Sequence, residues 1–490
     1  MQIMHKQIME ETHMGNKAER VFHHFEKISM IPRESGNEKA VSDMIAAWAA
    51  DLGYPVIQDE FNNLVITKPA SEGYEDSETV ILQAHMDMVC EKTSESTHDF
   101  SKDPIITKVE GDWLVSACGT TLGADNGIGV SCALSVLEDK TLKHPELEII
   151  FTTEEETTFN GVESISIDNF HGRRVLNLDH AADDEVLTGS CGGSGITFTL
   201  ELPECPDAAP LIEASEVYTL KVSGMNGGHS GEDIHRGRGN ANALLVQIID
   251  NCNLPVVSIH GGTNRLAIAR ESEAEVLVAD PASLGKFLQE RQEALRKEYS
   301  DAAPDITLSL EKSDTPKPAR LYDCRAAIKG MRVFPDGIMS MSGTFPGIVE
   351  SSINMGVIEL EGGSFKLLAE ARGGFESSIQ RIKEKVEAVA YLTGAEIEYF
   401  AKYSPWEYAV ESVLRETAAN TYKDMFGEDM KMLVVHAGLE CGSFVEKADG
   451  FDAISIGPNC QYFHSPEERV SISSTEKFYG FLLQLLENLK

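Results

Sequence analysis

The chain has 490 residues, more than one ordinary core holds. Its 42 basic and 79 acidic residues leave a net charge of −37, which argues against nucleic acid or an anionic membrane as a partner, since either needs a basic footprint. No apolar run approaches the roughly 20 residues of a transmembrane helix, Met1 to Arg20 lacks the apolar stretch of a secretory signal, and nine scattered cysteines without a C-x-x-C pair read as reduced thiols in a cytoplasmic protein.

Val21, Phe22, Phe25 and Ile28 recur at helical spacing and predict a helix over 18–30, with His23 and His24 on its surface. A second amphipathic helix is expected over 39–52 and short strands over 56–59 and 64–67. Thr79-Val-Ile-Leu-Gln-Ala-His85-Met-Asp87 reads as a strand buried on both faces that ends in polar residues. On an extended backbone residues i and i+2 share a face, so His85 and Asp87 point the same way, and a carboxylate beside an imidazole is how a metal-ligating histidine is usually oriented.

Gly119-Thr-Thr-Leu-Gly-Ala-Asp125-Asn-Gly-Ile-Gly then feeds an apolar helix to about Leu137. It has neither the Gly-Lys-Ser/Thr of a phosphate loop nor the third glycine of a dinucleotide fingerprint. An aspartate there is commonly only an N-cap; crowded by small residues, it also suits a carboxylate bridging two cations. The strand from Leu147 runs into Glu154-Glu155-Glu156, and the strand from Arg174 ends in Asp179. Ligands of open α/β sheets gather at the carboxyl ends of strands, so these segments converge on one place.

From about Gly192 the composition turns to glycine-rich β segments, with Gly227-Gly-His229-Ser-Gly, Gly261-Gly-Thr-Asn-Arg265, a charged helix over 284–298, a strand over 365–372 and a helix over 376–392. After Pro405 the α/β pattern returns with His436-Ala-Gly-Leu-Glu440-Cys, a strand from Phe451, Phe463-His464-Ser-Pro, and a closing helix capped by Ser473-x-x-Glu476. The expected architecture is α/β: a mixed, largely parallel sheet flanked by helices, made by residues 1–192 and 405–490, with an α+β lid domain inserted over 193–404. His85, Asp125, the glutamates of 154–156, Asp179 and His464 supply ligands in the number two zinc-class ions need, with a spare glutamate as general base; that predicts amide hydrolysis.

These motifs, in this order from about residue 20 to the C-terminus, resemble the aminoacyl-histidine dipeptidases (Xaa-His dipeptidases) within the di-zinc aminoacylase and carboxypeptidase group. The resemblance implies that Asp125 bridges the metals through a cis Asp–Asn bond, that His85 and Asp179 complete one site, and that a glutamate and His464 complete the other. It implies that Asp87 orients His85, His229 stabilises the oxyanion and Arg372 takes the substrate carboxylate. Counting back from Asn160-Gly161 makes Glu155 the base and Glu156 the ligand; Glu154 and Glu155 are the other register. The loop after Arg265 departs from the family, with Leu266 where an asparagine is usual. The implied activity is hydrolysis of dipeptides with a free N-terminus by two zinc ions, cobalt and manganese also suiting the ligands, in a lid-mediated homodimer. The alternatives are an N-acyl amino acid deacylase and a metal-binding protein without turnover.

Overall fold

The computed structural model describes residues 18–300 and 302–490. They form two compact units, one of Met1–Gly189, Trp406–Val434 and Leu439–Lys490, the other of Ser190–Pro405 and Val435–Gly438. Most of the stretch read as free of a secretory signal lies outside the described residues. Residues 435–438, expected with the closing part of the catalytic domain, group with the second unit because Cys191 N donates to the carbonyls of Val435 and Ala437, both at 3.1 Å.

The first unit is built on an eight-stranded sheet whose centre is parallel. Strand Val80–His85 lies between Leu147–Thr152 and Arg174–Asn177, and all six of its residues are buried, as its unbroken apolar character requires. The register pairs His85 with Thr152 and Gln83 with Asn177. Asp87, Glu155 and Asp179 therefore leave the sheet at one level. Antiparallel strands Leu64–Lys68 and Val56–Gln58 extend one side.

Helix Ala124–Glu138 is apolar all round and buried along nearly its whole length, packing with helix Ala18–Ser29, which buries Val21, Phe22, Phe25 and Ile28. His24 corrects the reading of a surface pair. It is buried, edge-on to Trp48 and 3.1 Å from Glu138, while His23 is exposed. The closing helix, Ile472–Asn488, is capped by Ser471, whose side chain accepts the N–H of Ser474; the Ser473 hydroxyl turns instead to Asp112.

The second unit carries a nine-stranded sheet whose recorded pairings are all antiparallel, with helices that include Ala241–Asn251, Pro281–Glu298 and Glu376–Thr393. It has its own apolar core. All nine cysteines are free, and among the described residues no helix is long and apolar enough to cross a membrane.

Candidate metal centre

Asp125 lies at the mouth of the helix it begins, where the backbone is not yet helical and the Asp125–Asn126 peptide is cis. The turn is close-packed: a Cβ on Gly129 would sit 2.0 Å from Asn126 Oδ1 and 2.4 Å from the Leu178 carbonyl, so glycine alone fits. The two carboxylate oxygens of Asp125 face different imidazoles, Oδ1 at 3.2 Å from His85 Nε2 and Oδ2 at 3.3 Å from His464 Nε2. His85 Nε2 is also 3.6 Å from Asp179 and 4.0 Å from Glu155, and His464 Nε2 is 3.0 Å from Glu156.

Among the described residues three groups of donor atoms converge: His85, Asp125 and Asp179; Asp125, Glu156 and His464; and His85, Glu155 and Glu156. A tetrahedral ion with ligand bonds near 2.0–2.1 Å holds its donors about 3.3 Å apart, the spacing found around Asp125. The charge balance agrees. Burial raises Glu155 well above the ordinary carboxylate range, against the pull of His85 and with Glu156, Asp179 and Glu440 adding to it. Burial likewise takes Asp179 to about 8, despite His85. Burial opposes charge on His464 too, yet Asp125 and Glu156 lift it to about 11. Four carboxyl groups, Asp125, Glu155, Glu156 and Asp179, crowd two imidazoles, and divalent cations would take the place of the protons that Glu155 and Asp179 otherwise hold, so the donor set fits such ions.

Asp87 sits behind His85, fully buried, with Oδ1 3.3 Å from Nδ1, near enough for an ion pair though not aligned as a hydrogen bond. Glu154 belongs to none of these donor groups. Its backbone has φ of 54°, and its carboxylate accepts from Thr158 and Asn160, away from the imidazoles.

Three groups escaped the sequence reading. Glu440, in a motif noted without a role, is buried beneath the centre and accepts from Gln83 at 2.5 Å and Thr152 at 2.8 Å; burial raises it to about 7. Arg33 and Glu468 flank the Asp125 turn. A glycine-rich turn full of free N–H groups needs a buried acceptor, and that need was the available signal.

His229 and Arg372 lie in the second unit, close together. A Cβ on Gly231 would be 3.2 Å from His229 Cε1, 3.3 Å from Arg372 Nε and 2.2 Å from the His436 carbonyl. His229 Nδ1 accepts the N–H groups of Gly231 and Glu232, at 3.3 and 3.1 Å, which leaves Nε2 to carry the proton. Arg372 donates to Tyr403 Oη at 2.6 Å and more weakly to Ser230 Oγ at 3.5 Å. His436 Nε2 bonds Ser352 Oγ at 2.7 Å. Leu266, in the loop that departs from the family, offers its carbonyl to Ser230 N at 2.8 Å, so this contact is made by backbone whatever side chain stands there.

The family model described as Peptidase family M20/M25/M40 matches residues 81–488. The chain belongs to this M20 peptidase family. It is a peptide hydrolase of mixed α/β fold. The cytosol non-specific dipeptidase of Escherichia coli (strain K12) is 34% identical to it over 472 residues, 95% of this chain and 96% of that protein. The crystal structure of an aminoacylhistidine dipeptidase from Vibrio alginolyticus superposes with a TM-score of 0.82 at 34% identity, covering 96% of each chain. Aminopeptidase PepT from Bacillus cereus, at 14% identity and a TM-score of 0.55 over 96% of this chain and 98% of its own, shares the M20 fold.

Proposed function

We propose that this chain hydrolyses dipeptides with a free N-terminus, Xaa-His among them, using two zinc-class ions and a glutamate base. The observation that carries the reading is Asp125, whose two oxygens face His85 and His464 separately, as a carboxylate shared between two ions must. His85, Asp125 and Asp179 would hold one ion; Asp125, Glu156 and His464 would hold the other. When bound, such ions polarise the scissile carbonyl and make water a nucleophile near neutral pH.

Glu155 is assigned as the general base: the two ligand sets above are complete without it, its grouping with His85 and Glu156 puts it beside both, and its raised pKa suits a group that takes a proton and gives it up. Asp87 keeps His85 in one orientation. His229, with its proton on Nε2, donates to the developing oxyanion, and Arg372 binds the substrate's terminal carboxylate with its planar fork. The first unit is the catalytic domain and the second the lid. A cytoplasmic location accords with nine free thiols and with the cytosolic relative; a homodimer is the expected assembly.

Metal analysis of the purified chain, with hydrolysis of β-alanyl-histidine and leucyl-histidine followed before and after chelation, tests the proposal. The expected result is about two metals per chain and an activity that chelation abolishes and zinc restores. Activity that survives complete metal removal would sink it.

A further inference from the structure

The Asp125 turn is gripped from both sides by groups that are not metal ligands. Glu468, 2% exposed, accepts four consecutive backbone N–H groups: Leu122 at 2.7 Å and Gly123 at 2.8 Å on Oε2, Ala124 at 2.8 Å and Asp125 at 3.1 Å on Oε1. Arg33, also 2% exposed, takes carbonyls: Met86 at 2.9 Å, Asp87 at 3.0 Å and Gly123 at 2.5 Å. Gly123, with φ of +71°, leaves the room for this, since a Cβ there would lie 2.4 Å from Arg33 Nη2.

Glu468 closes the hairpin tip that carries His464, between paired strands Cys460–Gln461 and Arg469–Ser471. Tyr462 and His464 both hold left-handed backbone, at φ of 56° and 60°, which is costly for such side chains and persists only where surroundings impose it. The surroundings do so at the tip's far end. Glu468 is bound to the Asp125 turn, and Arg469 stacks on Trp113 and Tyr462 while bonding Gln461.

We propose that Glu468 and Arg33 form a positioning clamp that sets the distance between Asp125 and His464, and ties both to the end of the His85 strand, before any metal arrives. Neither belongs to any of the metal-donor groups. Glu468 fixes the bridging carboxylate and the His464 loop against each other; Arg33 fixes the same turn against Met86 and Asp87. The clamp rests on the two-metal reading and adds a reason why its ligands, drawn from distant parts of the chain, meet with ligand spacing.

The test is calorimetric titration of zinc into the metal-free full-length chain, with His464→Ala identifying which binding event uses His464. In Glu468→Gln the amide presents hydrogens to backbone donors, and the His464 event is expected to weaken at least tenfold, the other less, with kcat falling and KM within about twofold. Arg33→Lys keeps the charge but loses the fork, and should weaken both events; it carries the test if Glu468→Gln fails to fold. A merely structural role would lower the melting temperature of the metal-free protein and leave both affinities within twofold in either folded variant, and that result overturns the clamp. If the unmodified chain binds no zinc, the metal reading fails first, before any variant is made.

Discussion

Asp87 faces His85 with one carboxylate oxygen, 3.3 Å from Nδ1, and the same carboxylate accepts the backbone N–H groups of Glu155 and Glu156, each at 3.1 Å. Ser35 adds a fourth contact at 2.7 Å. One buried side chain thus touches both the histidine and the backbone of the glutamate run. Burial would raise the Asp87 pKa, but His85, Ser35 and the Glu156 N–H outweigh it and hold it below the ordinary value. Asp87→Asn puts an amide where two backbone donors expect an acceptor. We expect a loss of roughly 10–100-fold in metal affinity or activity, as for other partners of metal-bound histidines. Equilibrium dialysis with zinc and a steady-state dipeptide assay check it, and an unchanged variant would show that Asp87 does not orient His85.

The glutamate register gives the second prediction. Glu155→Gln should lower kcat by about 10²–10⁴-fold, the range for removing a general base, while both metals stay bound. Glu154→Gln should retain kcat within a few-fold, because its carboxylate serves Thr158 and Asn160. Should Glu154→Gln prove the inactive one with metals in place, the other register is correct.

What could be read in the sequence followed from how local each signal was. The strand at Thr79 and the acids ending its neighbours were legible, because burial on both faces of a parallel strand leaves an apolar run and the polar break marks its end. Strand Val349–Glu361, the longest of the second unit, went unnamed. Its Ser-Ser and Gly356 break the alternation, and the glycine is there because a Cβ would strike Arg265 Cα at 2.4 Å, a contact from elsewhere in the fold. His24 was misread for the same reason. A histidine on a helix looks like surface until Trp48 and Glu138 arrive from other helices. Glu468 was hidden by distance, its hydrogen-bond donors lying more than 340 residues earlier.

His436 supplies a pH prediction independent of the metals. Burial, with Arg372, His229 and His235 nearby, lowers its pKa from 6.5 to about 3, so the folded chain keeps it neutral. Below pH 6.5 the unfolded chain takes up a proton that the folded one refuses, and this group's contribution to stability falls as pH drops from 6.5 toward 3. Between pH 6.5 and 4.5 the loss amounts to about 2 kcal/mol at most. His436→Asn should remove that component. Denaturant unfolding of metal-free protein, unmodified and variant, should give a shallower decline for the variant; equal slopes would mean that His436 titrates normally in the fold.

Arg372 distinguishes a carboxylate-binding site from a structural cation. Glu370, two residues earlier on the same face of the strand, is engaged by Arg265 at 2.9 Å and Tyr403 at 3.2 Å. The hydrogen bonds of Arg372 go to hydroxyls and a thiol, and its Nε has no hydrogen-bond partner among the described residues, so a buried fork remains for an incoming anion. A lysine offers a point charge without that fork. Arg372→Lys should raise KM for leucyl-histidine at least tenfold and change kcat less. The sharper readout is the ratio of kcat/KM for the free dipeptide to that for its C-terminal amide. In the unmodified chain that ratio should be large, since the amide leaves the guanidinium buried and unpaired. In the variant it should shrink toward unity. If Arg372→Lys keeps the full preference for a free carboxylate, another group recognises the C-terminus and Arg372 is held where it is by packing alone.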